Sequence, residues 1–122
     1  MAKKVLYVIS GDPRKKTESV SAVFAQALTA LSFDYEVETF LMDDAVIIAK
    51  KGGIDESVKF QTFEPISVML ENYLEMGGVL YVCHPSSDAR NMHEADAIAG
   101  VTFVNASKIL ECGIKADVVF TF

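Results

Sequence analysis

Cys83 is the residue of this sequence whose type and position best suit chemistry. It follows the apolar run 79–82, which is typical of a strand buried on both faces of a sheet. Pro85 has no backbone N–H and disfavours helical dihedral angles at His84, so we expect the strand to end at about Cys83. In open α/β sheets, ligands and reacting groups collect just outside the carboxyl ends of the strands. The sequence therefore predicts a thiol at a position where chemistry commonly occurs.

Side chains that could activate this thiol follow it in the chain. The thiolate is the nucleophilic form of cysteine, and its pKa falls near a helix N-terminus or a positive charge. Ser86 and Ser87 are typical N-cap residues, so a helix that follows them could direct backbone N–H groups at the thiol. His84 and Arg90 could add positive charge. The alternative interpretation is that Cys83 is a small buried hydrophobe, which is the usual state of a free cysteine.

Other arrangements of reactive side chains are less favourable. Cys112 lies late in a short predicted helix where we expect nothing polar around it, which favours a structural role. The residues available to a metal are Cys83, His84, His93 and Asp88 or Glu94. Their spacing matches no zinc pattern, so the sequence predicts no metal, and nothing in it calls for a cofactor. A Cys-His hydrolase is disfavoured because we expect His84 to point away from the thiol.

The loop after the first predicted strand is a candidate anion site. Loops between a strand and a helix N-terminus bind phosphate through backbone N–H groups. The residues concerned are Gly11, Arg14, Lys15 and Thr17. Pro13 removes one donor, Asp12 would repel an anion, and no Gly-x-Gly-x-x-Gly pattern is present, so a solvated loop is favoured. Asp43 and Asp44 could form an acid–base pair, but capping of the helix that follows them is favoured.

Length and composition limit the classes of protein that fit. A chain of 122 residues that is 51% hydrophobic suits a single domain over residues 1–122. The net charge of -6 argues against a nucleic-acid binder. No run approaches the roughly 18 apolar residues of a membrane span, and the N-terminal apolar run is too short for a signal peptide. Two cysteines without a disulfide-framework spacing fit a reducing, cytoplasmic setting.

Strands and helices alternate along the chain. The predicted strands are 4–9, 35–42, 79–83, 101–104 and 117–122. The predicted helices are 17–31, 43–49, 65–74, part of 88–99, and 107–112, with 54–64 as loop or irregular helix. The first strand is apolar throughout and is expected to be central, whereas 35–42 alternates as an edge strand does. The pattern predicts a three-layer α/β/α sandwich with a mostly parallel five-stranded sheet, flavodoxin-like in architecture.

With these elements assigned, the sequence resembles the DsrE/DsrF/TusD-like (DsrEFH-like) family of small sulfur-relay proteins over nearly its full length. The segment MGGVLYVC, 76–83, followed by Ala89 and Arg90, is similar to the family's G-(V/I)-x-(I/L/V)-x-V-C strand and the A-x-x-R-G segment after it. The segment FLMDDAV, 40–46, is similar to F-L-x-x-D/G-x-V. Arg90 is followed by Asn91 where the family often has Gly, and Asn tolerates the positive φ that such a turn requires.

The resemblance implies the DsrEFH-like fold and a role for Cys83 as the persulfide-carrying residue. It implies at most a sulfurtransferase-like carrier, with sulfur-donor and sulfur-acceptor proteins as partners. Family members are commonly trimers or hexamers, and the high apolar content independently points to a homo-oligomer. Two alternatives stay open: a non-catalytic oligomeric interaction protein of the same fold, and a flavodoxin-like anion or nucleotide binder.

Overall fold

A computed structural model, which describes residues 2–122, contains a five-stranded parallel sheet. The strands are β1 (Lys4–Ile9), β2 (Glu36–Leu41), β3 (Val79–Cys83), β4 (Val101–Val104) and β5 (Val118–Thr121). They lie in the order β4-β3-β2-β1-β5, and every neighbouring pair is parallel. The prediction of an α/β fold with a mostly parallel sheet is confirmed.

Helices cover both faces of this sheet. They are α1 (Thr17–Ser32), α2 (Ile66–Glu75), α3 (His84–Ala89) and α4 (Ser107–Lys115), with 3₁₀ helices at Asp43–Ala49 and Glu94–Asp96. The apolar sides of α1 and α2 pack on one face in a large core. On the opposite face, α4 contributes Cys112 and Ile109 to a smaller core. β1 supplies side chains to both cores, which explains why its sequence is apolar throughout.

A buried tyrosine joins α2 to the two strands beneath it. The Thr39 hydroxyl donates to the Tyr73 hydroxyl (2.9 Å), which in turn donates to the Val79 carbonyl (2.6 Å). Both side chains have no exposed surface, and burial raises the pKa of Tyr73 above its usual range. A Cβ at Gly78 would overlap the tyrosine ring, so this close approach requires glycine. The hydroxyl groups of Thr39 and Tyr73 therefore both have hydrogen-bond partners inside an otherwise apolar core.

The strand 35–42 was expected at an edge of the sheet, and this prediction is wrong. β2 is the central strand, with β1 on one side and β3 on the other. Its alternation has another cause: Glu36 lies at the exposed amino end, and Glu38 is a half-buried residue with polar partners on the α4 face. The edges are β4 and β5.

Two helix predictions also need correction. α3 begins at His84, directly after β3, because Pro85 is tolerated in the first turn of a helix. The stretch 88–99 contains only the end of α3, a turn and a 3₁₀ helix. The predicted start of the first helix is confirmed: Thr17 is the first residue of α1, and its hydroxyl donates to the Pro13 carbonyl (2.7 Å).

Replacing Tyr73 with Phe should lower the free energy of unfolding by about 1–3 kcal/mol, because the Thr39 hydroxyl and the Val79 carbonyl lose a buried partner. Urea denaturation followed by circular dichroism measures the change. The double variant Tyr73→Phe, Thr39→Val removes both hydroxyls and should recover part of the loss. A Tyr73→Phe variant as stable as the parent protein would contradict this account.

Candidate functional site

Cys83 is the last residue of β3 and immediately precedes α3. Its side chain lies on the α4 face of the sheet, in the smaller core with Val8 and Phe40, and the residue is 3% exposed. Val104 of β4 lies opposite it in the register. The predicted end of the strand is therefore confirmed, and the thiol lies at the carboxyl edge of the sheet but beneath the surface.

A cavity of about 280 Å³ opens next to this position. Its lining residues are His84, Phe103, Val104 and Asn105. His84 follows Cys83 in the chain and Val104 is its cross-strand neighbour, so the cavity lies near this end of β3, although Cys83 itself does not line it. The His84 ring packs edge-on against Phe103 with ring centroids 5.9 Å apart.

The polar residues after Cys83 bond mainly to one another. His84 Nδ1 lies 3.1 Å from the Asp88 carboxylate, and the Ser87 hydroxyl donates to the His84 carbonyl (2.9 Å). The Ser86 hydroxyl accepts a hydrogen bond from the backbone N–H of Asp43 (2.9 Å). Among residues 2–122, no side-chain hydrogen bond or ion pair joins any of these groups to the Cys83 thiol. The structure therefore brings these polar side chains to the same end of the sheet as Cys83, but none of them forms a hydrogen bond with its sulfur.

Arg90 connects the segment after α3 to the start of the first 3₁₀ helix. Its guanidinium donates to Asp44 Oδ1 (2.9 and 3.2 Å), to Asp43 Oδ1 (3.1 Å) and to the Ser86 carbonyl (3.0 Å). Asn91 has φ 55°, so the left-handed turn expected from its residue type is present. Arg90 thus acts as a cross-link between two loops at the carboxyl edge.

Cys112 has polar neighbours that the sequence did not indicate. Its sulfur lies 3.7 Å from Glu38 Oε2, which also accepts a hydrogen bond from the Tyr81 hydroxyl (2.9 Å). Burial and the Glu38 carboxylate raise the pKa of the Cys112 thiol, and burial with the bond to Glu38 raises the pKa of Tyr81 to about 12. Burial and a facing carboxylate both disfavour the thiolate, so Cys112 is a poor nucleophile.

The two thiols lie at different levels of the sheet. Glu38, which contacts Cys112, is aligned with Val79 at the beginning of β3. Cys83 is four residues further along that strand, a separation of roughly 13 Å at the usual strand rise. Both cysteines are free. This separation does not favour the disulfide geometry, which requires Cα atoms within about 7 Å.

The candidate anion loop is organised around Asp12. The Asp12 carboxylate accepts hydrogen bonds from the Arg14 backbone N–H (2.9 Å) and from its guanidinium (2.8 and 3.0 Å). The Asp12 carbonyl accepts from the N–H groups of Lys15 and Lys16. The bonds from Arg14 lower the pKa of Asp12. A Cβ on Gly11 would press on the Lys16 side chain. The backbone N–H groups of Arg14, Lys15 and Lys16 are therefore already engaged within the loop.

Metal-binding and membrane-spanning features are absent from the part of the chain that the structure describes. Within residues 2–122, no group of three or more His, Cys, Asp or Glu side chains is arranged to hold a metal ion. None of the helices described there has the length and apolar character needed to cross a membrane.

These features define a small α/β protein with an all-parallel sheet and a cysteine at the carboxyl end of the third strand. The chain belongs to the DsrE/DsrF-like family, whose model matches residues 3–122. It is 32% identical over 119 residues to the uncharacterized protein MJ0989 of Methanocaldococcus jannaschii, covering 98% of this chain and 99% of that protein. It is 31% identical over 118 residues to the uncharacterized protein MK0008 of Methanopyrus kandleri, covering 97% of this chain and 93% of that protein.

Solved structures share the fold. The ychN protein of E. coli matches with a TM-score of 0.76 and 24% identity, covering 100% of both chains. MTH1491 of Methanobacterium thermoautotrophicum, a protein of unknown function, matches with a TM-score of 0.71 and 14% identity, again over 100% of both chains. At these identities the likeness concerns the fold alone. The resemblance identified from the motifs is confirmed by the family match.

The thiol of Cys112 should ionise above its usual value of 9.0, and Glu38→Gln should lower its pKa by removing the facing charge. The Cys112 pKa is measured from thiolate absorbance during a pH titration of the Cys83→Ser variant. The same titration of Cys83→Ser that also carries Glu38→Gln measures the decrease. The raised pKa contributes stability that is fully present below the pKa of the unfolded thiol and is lost as the pH rises through the folded-state value. Equal Cys112 pKa values with and without Glu38→Gln would contradict the assignment.

Proposed function

We propose that this protein is a sulfur carrier that holds a persulfide on Cys83 and passes it on within a homo-oligomer. The observation that carries the proposal is the position of Cys83, at the β3–α3 junction on the carboxyl edge of the sheet, in a chain of the DsrE/DsrF-like family. Parallel α/β sheets perform chemistry at this edge. The partners are a sulfur-donor and a sulfur-acceptor protein, and the setting is the reducing cytoplasm, where thiols stay free.

The proposed reaction is a pair of thiol exchanges. The Cys83 thiolate attacks the terminal sulfur of a donor persulfide, R–S–SH, forming Cys83–S–SH and releasing the donor thiolate R–S⁻. An acceptor thiolate then attacks the terminal sulfur of Cys83–S–SH, takes it as R′–S–SH, and leaves Cys83 as the thiolate. Sulfur moves in both steps without an external oxidant or reductant, and the nucleophile in each is a thiolate.

The burial of Cys83 limits when sulfur can be transferred to or from it. Cys83 is 3% exposed as a residue and is thus shielded from bulk solvent, so a persulfide held there would be protected between steps. Exchange with a partner thiol requires opening toward the cavity beside His84 and Phe103. α3 is only six residues long, and Pro85 and Asp88 on it are exposed while Ser87 is buried, so opening would have to displace Ser87 from the interior.

The same burial favours a second candidate function, an oligomeric interaction protein in which Cys83 is packing. A small apolar environment is the usual state of a free cysteine. The two candidates differ in what Cys83→Ser changes: a carrier loses sulfur loading, whereas an interaction protein keeps its assembly and its partners. The anion-binding alternative is less favoured, since Asp12 already engages the backbone donors of its loop.

Incubation with a persulfide donor should add one sulfur, about 32 Da, to Cys83 in the intact protein, because its thiolate is the proposed nucleophile. Mass spectrometry of the intact chain and of its peptides locates the adduct. The matched control is Cys112→Ser, which should load as the parent protein does, while Cys83→Ser should not load. An unmodified Cys83 that also alkylates no faster than Cys112 would exclude the carrier function.

The apolar surface formed by α4 and β5 is the proposed contact between copies. This α4–β5 surface consists of Leu110, Ile114 and Val119 on the α4 face of the sheet and of Val118 and Phe120 on the opposite face of β5, each at least 37% exposed. Leu110 and Ile114, at 68% and 76%, lie one turn apart on the outer side of α4. Exposed apolar side chains on both faces of an edge strand and on the neighbouring helix favour association.

The backbone of β5 adds a second reason for self-association. Phe122 bonds through both its N–H and its carbonyl to the β1 side, at Val8 and Ser10. Alternate residues of a parallel strand face alternate sides, so the backbone groups of Val119 and Thr121 face the open edge. No charged side chain interrupts residues 118–122, although charges are a common protection of free edges. We propose that a second copy of the chain binds this surface, as in a trimer or hexamer.

Ile114→Glu should shift the protein to a smaller species in size-exclusion chromatography with light scattering, because it places a charge within the proposed contact. Phe33→Glu is the matched control, since Phe33 is 62% exposed but lies outside the α4–β5 surface. Both variants should retain the parent circular dichroism spectrum. A parent protein that is monomeric, or an Ile114→Glu variant that assembles unchanged, would exclude this contact.

A further inference from the structure

A cavity at the carboxyl ends of β1, β2 and β3 takes no part in the proposed sulfur chemistry. Its volume is about 260 Å³, which is below that of a site for a drug-sized ligand. The loop after β1 contributes Arg14, the first 3₁₀ helix contributes Asp44 and Val46, and the segment after α3 contributes Arg90. Three separate loops thus meet around one space, at the edge of the sheet where α/β proteins bind ligands.

The polar groups of this cavity are only partly used by one another. Arg14 donates through Nε and Nη2 to Asp12, which leaves Nη1 without a partner among residues 2–122. Asp44 accepts the Arg90 bonds on Oδ1 alone, so its Oδ2 has no donor within the same residues. Lys50 also lines the cavity, and its ammonium has no hydrogen bond or ion pair in that part of the chain. Asp12 also lines the cavity, but both of its carboxylate oxygens are bonded to Arg14. Side chains of both charges therefore line one cavity, and three of their polar atoms have no partner among residues 2–122.

The remaining wall is apolar. Val46, Ile47 and Met92 line it; Val46 and Met92 are almost fully buried in the large core, whereas Ile47 is partly exposed. A ligand with a short aliphatic group would gain contact with Ile47 as it displaces water. The charged groups and the apolar wall together specify a small amphiphilic molecule.

The backbone around the cavity is held in a defined shape. Asp43 and Asn91 both have φ 55°, in the left-handed region, and each directly precedes or follows a residue of the cavity wall. Such conformations persist where surrounding contacts enforce them, and they occur often near ligand sites. Here the Arg90 cross-link to Asp43 and Asp44 supplies the enforcing contacts. The cavity is therefore preformed, which lowers the entropic cost of binding.

We infer that this cavity binds a free α-amino acid with a small aliphatic side chain. Its carboxylate would lie at Lys50 and the free Nη1 of Arg14, its ammonium at Asp44 Oδ2, and its side chain on Ile47. A dianion such as phosphate is disfavoured by the Asp44 carboxylate, and a simple cation is disfavoured by Lys50 and Arg14. The site is independent of Cys83, so its presence or absence does not bear on the carrier function.

L-valine, 3-methylbutanoate and isobutylamine form a matched set of probes, since the second lacks the ammonium and the third the carboxylate. In ¹H–¹⁵N NMR titrations of the full chain, L-valine should give saturable shifts around Asp44 and Lys50. Both analogues should bind at least tenfold more weakly, because each leaves one charged group of the cavity unpaired. Absence of saturable shifts with L-valine, or an analogue that binds within tenfold of it, would overturn the inference.

Variants test the same assignment. Lys50→Met keeps the aliphatic stem of an exposed side chain and should weaken L-valine binding at least tenfold, as should Asp44→Asn. Lys59→Met, at an exposed lysine away from the cavity, is the control and should bind as the parent does. Cys83→Ser should also bind L-valine normally. Unchanged binding by a folded Lys50→Met variant would overturn the inference even if Asp44→Asn fails to fold.

Discussion

The requirement that both faces of a parallel sheet be covered governs this molecule. The face that carries Tyr7 and Leu41 is closed by α1 and α2, which build the larger core and hold Tyr73 between strands. On the other face, α4 is the helix that packs against the sheet in the described part of the chain. This difference in helix cover leaves the second face with a small core, and part of that face is not covered by a helix.

Both thiols lie in the thinner core, and their surroundings differ. Cys112 lies under α4 beside the Glu38 carboxylate, where burial and charge oppose ionisation. Cys83 lies at the carboxyl edge, directly before α3 and near the cavity at His84. The fold therefore separates a thiol whose ionisation is opposed by a carboxylate from one at the edge of the sheet where ligands commonly bind. A single carrier residue is the chemical consequence under the proposed function.

The incomplete cover also accounts for the α4–β5 surface. A strand such as β5 pairs on one side only, and its apolar side chains are left exposed on both faces. Association of copies would complete the cover that one helix leaves unfinished, so the proposed assembly and the asymmetry of the cores have the same origin. The charged cavity around Asp44 and Lys50 lies apart from it, at the carboxyl ends of β1, β2 and β3.

Local patterns in the sequence determined the alternation of strands and helices, the end of β3 at Cys83, and the left-handed turn at Asn91, because apolar runs, Pro and Asn act over a few residues. They did not determine strand order. The alternation in β2 resembled that of an edge strand, yet it arises from Glu38 and its partners beneath α4. Tertiary structure alone decided which polar groups meet, as at Cys112 and around Asp44, since these contacts join residues far apart in the chain. Burial of the Cys83 thiol agrees with the apolar run before it, but the residues that surround it, Val8 and Phe40 among them, come from other strands that only the tertiary structure brings together.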